Sequence, residues 1–255
     1  MKNILLSIGI DSLPFLLAIL STFFLAGWIK GVIGLGLPTV AIGLLGLMMT
    51  PTEAAAILIV PSFVTNAWQL VAGTAFRPLL HRLKSMLIGI GCGTFIGCYL
   101  LSGGISTYAT AVLGIALILY AIAGLASLQI KVSPSAERYL SPAVGGFSGL
   151  IAAMTGVFVI PAVPYLQMLS LEKNDLMQAM GLSFTVSTIV LAVALGQSGA
   201  LHATNAGISL LALLPALAGM FSGQWMRSRI RPAIFRKCFF AGLIALGGDL
   251  VLHAV

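Results

Sequence analysis

The sequence predicts an all-α integral membrane protein made of two inverted repeats of about five helical segments each. Three observations carry that prediction. Of 255 residues, 59% are apolar and only 7% charged, against roughly 25% charged in a soluble domain, and the mean hydropathy is +1.10. Apolar runs close to the ~20 residues that cross a hydrocarbon core recur along the whole chain, leaving no room for a soluble domain. The chain also matches itself at rising offsets, as a duplicated chain does.

The apolar segments, in order, are 13–36, 37–49, 53–76, 84–102, 106–128, 140–156, 157–170, 175–198, 204–226 and 232–254. The first follows Met1 to Asp11 without a small-residue cleavage site, so it is expected to be a retained helix. It carries Lys30, the only charge between Leu13 and Thr50. The break "GLGLP" follows, with Gly34, Gly36 and Pro38, and the run 37–49 after it gives only ~20 Å of helix. In the second half "MTGVFVIPAVP", with Thr155, Gly156, Pro161 and Pro164, precedes 157–170, or ~21 Å. Glycine admits unusual dihedrals and proline lacks a donor, so both points interrupt a helix. The first two segments of each repeat are therefore expected to be short and broken, half-spanning or re-entrant.

The third segment of each half is polar on the inside. Ser62, Thr65, Asn66 and Gln69 share one helical face by their i, i+3, i+4 spacing, and Gln178, Ser183, Thr185, Ser187 and Thr188 cluster in the counterpart. Such residues either line a substrate path or bond neighbouring helices. Gly89, Gly93 and Gly97 in the fourth segment fit a small-xxx-small packing face. The longest polar connector, "QIKVSPSAERYLSP" from Gln129 to Pro142, splits the ten segments five and five. The expected division is a first repeat at 1–128, a cytoplasmic connector at 129–139 and a second repeat at 140–255.

The internal matches pair "GWIKG" with "GGFSG", Ser62 with Ser183, and "GTFIGCYL" with "GMFSGQWM", at offsets rising from 118 through 121 to 126 residues. Basic residues orient the copies. Arg77, Arg82 and Lys84, then Lys131 and Arg138, then Arg227, Arg229, Arg231, Arg236 and Lys237 mark cytoplasmic loops. Threading the chain through these loops sends 53–76 inward and its mate 175–198 outward, with both termini on the outer side. Inverted copies suit alternating access.

The same residues narrow the chemistry. The net charge of +7 sits in short loops between apolar runs, which positive-inside topology explains without a nucleic-acid partner. Cys92, Cys98 and Cys238 form neither a CxxC pair nor an even disulfide set. Asp11, Glu53, Glu137, Glu172, Asp175 and Asp249 lie at segment ends, so no intramembrane proton relay is visible, although a coupling proton stays open. His81, His202 and His253 fall in loops or near the terminus. No metal and no cofactor is expected. Lys30 is either a cation for an anionic substrate or a residue that snorkels to the interface. Positive dipole ends at the starts of the short helices would also favour an anion. The candidate binding set is Lys30, Gly34, Gly36, Pro38, Ser62, Asn66, Thr155, Gly156, Pro161, Ser183 and Thr185. Two rivals remain open: an intramembrane serine protease using Ser148 of "GFSG" with His202 as base, and a membrane assembly factor without transport. Glycine faces leave a homodimer open as well.

The segments "GVIGLGLP", "AMGLSF" (Ala179 to Phe184) and "GMFSGQWMRSRIRPAIFRKCFFAGLIALGG" (Gly219 to Gly248) resemble the sulfite exporter TauE/SafE family over nearly the whole chain. That resemblance implies an inner-membrane carrier of small sulfur-containing anions such as sulfite, sulfoacetate or other organosulfonates, working in export. The second break, "MTGVFVIP", is poorer in glycine than the first and departs from symmetry.

Overall fold

A computed structural model describes residues 13–102, 108–126, 131–197, 203–227, 229 and 232–253; Asp11, His202, Arg231 and both chain ends lie outside them. Ten α-helices form among the described residues: α1 (Leu13–Ile33), α2 (Leu37–Leu45), α3 (Pro51–Val71), α4 (Phe76–Ser102), α5 (Ala109–Ala126), α6 (Pro134–Thr155), α7 (Ala162–Met168), α8 (Lys173–Gln197), α9 (Ala203–Met226) and α10 (Pro232–Leu252). Six of them, α1, α3, α4, α5, α8 and α9, are long and apolar enough to cross a membrane.

Local sequence sets the boundaries. Helix α1 stops at Ile33 because Gly34 and Gly36 take φ of 85° and 110°, and the Gly34 amide closes the last turn on the Lys30 carbonyl at 2.7 Å. This left-handed backbone is open to glycine and costly for other residues. Pro38 then sits in the first turn of α2, where its missing N–H costs nothing. A capping box between Thr50 and Glu53 starts α3. At the second break Gly156, with φ 72°, ends α6.

One expectation is corrected here. The first two segments of each half were both expected to be short, but α1 and α6 run to 21 and 22 residues. Only α2 and α7 are short, at 9 and 7 residues. The glycines fall at the ends of α1 and α6, not inside them, so each break terminates a full-length helix. The basic stretch Arg77 to Lys84 and the connector from Pro134 onward also fold into the first turns of α4 and α6.

The main helix pairs are α1 with α9, α4 with α6, α3 with α8, and α5 with α10. Glycine makes the first two pairs close. A Cβ on Gly27 would lie 2.2 Å from the Ala216 carbonyl oxygen, and one on Gly223 2.2 Å from that of Trp28. On the other side, a Cβ on Gly93 would lie 2.0 Å from the Gly146 oxygen, and one on Gly145 2.1 Å from that of Met86. Backbone thus meets backbone, as small-residue interfaces do where lipid gives helices no hydrophobic reason to associate. The core between the pairs is apolar and includes Ile19, Phe23, Leu37, Ile42 and Phe158.

Candidate functional site

The site begins with Lys30, on the last turn of α1. It is only 4% exposed, so its amine lies among protein groups. Its Nζ donates to Thr65 Oγ1 at 3.2 Å and to Asn66 Oδ1. Both belong to the polar face of α3. Thr65 in turn donates to the Pro61 carbonyl at 2.8 Å, and Asn66 Nδ2 donates to Ser62 Oγ at 3.2 Å. Ser62, Thr65 and Asn66 are fully buried. Among the described residues no carboxylate pairs with Lys30. A charge on this amine therefore has neutral partners and no counter-ion, an arrangement that costs several kcal/mol unless something negative arrives.

Beside Lys30 lies a cavity of about 360 Å³ between the ends of α1, α3 and α9 and the start of α8. Gly34, Thr65, Gln69, Asn174, Gln224 and Arg227 line it. Two glutamines hold its frame. Gln69 Nε2 donates to the Gly34 carbonyl at 3.2 Å and to the Met177 carbonyl at 2.9 Å. Gln178 answers from α8, donating to the Leu70 carbonyl at 2.8 Å and accepting from the Ala75 amide at 2.8 Å. These amides are spent on backbone groups, so the broken end of α1 is tied to α3 and α8. No hydrogen bond or ion pair among the described residues engages the Arg227 side chain.

The expected site residues divide. Lys30 and Gly34 line the cavity, and Ser62 and Asn66 stand behind Lys30. Gly36 and Pro38 form the buried start of α2 and do not reach it. The residues of the second half lie elsewhere. Thr155 Oγ1 donates to the Ile151 carbonyl at 2.7 Å and accepts from the Val157 amide at 3.1 Å. Gly156 packs on Ile42 and Ala55, and Pro161 follows a cis peptide bond before α7. Thr185 is bonded to the Gly181 carbonyl at 2.7 Å, while the buried Ser183 hydroxyl has no partner. Local bonds satisfy the polar groups of Thr155 and Thr185, and neither break residue shares a cavity with Lys30.

Arg227, Gln224 and Asn174 were missed from sequence because they read as loop and helix-end residues. A signal existed for Arg227: it follows Gly219 and Gly223 at four-residue steps, and those glycines face α1, so the next step brings Arg227 toward the Lys30 end of α1. The base of the protease alternative, His202, lies outside the described residues. Ser148 is 2% exposed, and no base bonds to its hydroxyl among the described residues. Nor does any group of three or more His, Cys, Asp or Glu side chains suited to a metal occur among them.

The fold and cavity define a multi-pass helical membrane protein with a solute-sized polar chamber beside a buried lysine. The family model described as "Sulfite exporter TauE/SafE" matches residues 19–250; the chain belongs to that family of membrane transporters. No curated protein and no solved structure matches it.

Proposed function

We propose that this protein is a secondary transporter or facilitator of a small sulfur-containing anion, sulfite, sulfoacetate or a similar sulfonate, exported across the cell inner membrane by alternating access. One observation carries the proposal: a buried lysine without a carboxylate partner among the described residues borders a chamber of about 360 Å³ that Arg227 also lines. A monoanion arriving there supplies the counter-charge Lys30 lacks. Asn174 and Gln224 offer neutral donors that suit the spread charge of a sulfite or sulfonate group.

The pairing of helices supports the inverted-repeat organisation, with repeats at 1–128 and 140–255 joined at 129–139. If α1–α5 are matched in order with α6–α10, the pair α1 with α9 becomes α6 with α4, while α3 with α8 and α5 with α10 map onto themselves. The basic ends of α4, α9 and α10 gather on the side to which the Lys30 cavity belongs, which supports a cytoplasm-facing state with both termini outside. Thr155, Gly156, Pro161, Ser183 and Thr185 would then belong to the packed half that opens when the chamber closes.

Reconstituted in liposomes, the protein is expected to move sulfite and sulfoacetate in preference to taurine and acetate, and a pH gradient identifies any coupling proton. Movement of uncharged solutes alone would sink the anion proposal, and no flux of any solute would favour the assembly-factor alternative.

A further inference from the structure

A second cavity, of about 240 Å³, lies on the other side of the α1–α2 break. Its walls come from that break, α5, α7, the start of α8, and α10. Three cations from three helix ends converge on it: Lys173 opening α8, Arg227 closing α9, and Arg236 in the first turns of α10. No carboxylate lines it among the described residues.

The cavity is graded. Lys173 and Arg236 are exposed, whereas Phe240 and Val163 are buried at 5% and 1%. At the buried end the Tyr120 hydroxyl, in a side chain 2% exposed, has no hydrogen-bond partner. A buried hydroxyl left unpaired costs about 1–3 kcal/mol, so something polar at that depth is favoured. On the outer faces of α5 and α10, Leu119, Ile122 and Ile234 are 53–56% exposed, which places the cavity next to lipid.

We infer that this cavity is a binding site for the headgroup of an anionic phospholipid. The phosphate would sit between Lys173 and Arg236, the first part of an acyl chain would run along Phe240 and Val163, and an ester carbonyl would accept from Tyr120. Charge outside, a hydroxyl donor at ester depth and apolar walls beyond follow the order of groups in a phospholipid, and basic pockets between spanning helices suit such headgroups. A free inorganic anion would use the cations but leave the apolar walls and Tyr120 unserved.

Native mass spectrometry of the full chain, purified in detergent with equal phosphatidylglycerol and phosphatidylcholine, tests this. Selective retention of phosphatidylglycerol is expected, weakened about fivefold for each charge removed in Lys173→Gln and Arg236→Gln. Arg77→Gln with Lys84→Gln, which removes basic residues outside the cavity, should leave retention unchanged. Tyr120→Phe, which keeps the ring, should weaken retention without altering the lipid preference. Equal retention of the two lipids, an equal loss in the Arg77/Lys84 control, or displacement of the lipid by millimolar inorganic phosphate would overturn the inference. None of these readouts depends on transport.

Discussion

Replacing Lys30 separates its role in anion binding from its role in folding. An ammonium has three donors, and here two are engaged by Thr65 and Asn66, leaving one for a ligand. A charge-assisted hydrogen bond is worth about 1.5–3 kcal/mol, so Lys30→Gln or Lys30→Met should raise the KM for anion transport about 10- to 150-fold. Stability should respond differently. Lys30→Met leaves Asn66 Oδ1 without its donor, a cost of about 1–3 kcal/mol. Against that, it removes a buried charge that lacks a counter-ion, a relief of several kcal/mol. Thr65 and the Asn66 amide keep their bonds to Pro61 and Ser62. The melting temperature of Lys30→Met in detergent should therefore stay level or rise while transport falls. Concentration-dependent flux in proteoliposomes, read beside thermal unfolding of the same preparations, checks both halves. Unchanged KM and kcat in both variants would refute the binding role, and unfolding of Lys30→Met would refute the claim that the charge is uncompensated.

Other consequences are briefer. Gly27→Val drives a side chain into the Ala216 carbonyl, 2.2 Å from where its Cβ must lie, and should destabilise by about 1–3 kcal/mol; Gly146→Ala, with open space at its Cβ, should be neutral or stabilise by up to ~1 kcal/mol, both read as thermal unfolding in detergent. Gly36→Ala forces an L side chain to φ 110°, costing about 1–2 kcal/mol, and should lower flux at saturating anion more than Gly146→Ala does. Ser148→Ala deletes a buried hydroxyl without a partner, so flux should be retained and stability level or higher. Wild-type protein should likewise resist a fluorophosphonate probe, whereas covalent labelling of Ser148 would revive the protease alternative.

The membrane class, the ten segments and the breaks at Gly34 and Gly156 were legible because each rests on local chemistry: apolar length, or a residue that tolerates positive φ. The site was legible only in pieces. Lys30 stood out as a lone charge and the Ser62–Gln69 face as a polar stripe, yet nothing local joined them. Their contact spans 36 positions in the chain and exists because α1 ends beside α3. The glutamines were legible only as alternatives, for a related reason. Gln69 and Gln178 were open to both readings, and they do both: they line the cavity while their amides bind open backbone at a break or helix end. The length of α1 and α6 was misjudged because a glycine in sequence does not reveal whether it kinks a helix or ends it.

Asymmetry between the halves bears on the proposed mechanism. Under the proposed repeat, Lys30 matches Ser148 and Asn66 matches Ser187, so the second copy would present hydroxyls where the first presents an amine and an amide. On that proposal two equivalent anion sites would not be available, and a transport cycle would have to bring both sides of the membrane to the one cation. Lys30 is suited to that demand by where its partners lie. It bonds across to α3, which also pairs with α8. A rearrangement that opens the α6–α8 side while closing the α9 side could leave the Lys30–Thr65–Asn66 contacts intact and change only which wall faces water. The two chamber walls would then differ in kind: Arg227 and Gln224 on α9 move with the gate, and Lys30 stays with the substrate. Loss of Arg227 should accordingly slow anion entry from the cytoplasmic side more than from the outer side, whereas loss of Lys30 should weaken both directions alike.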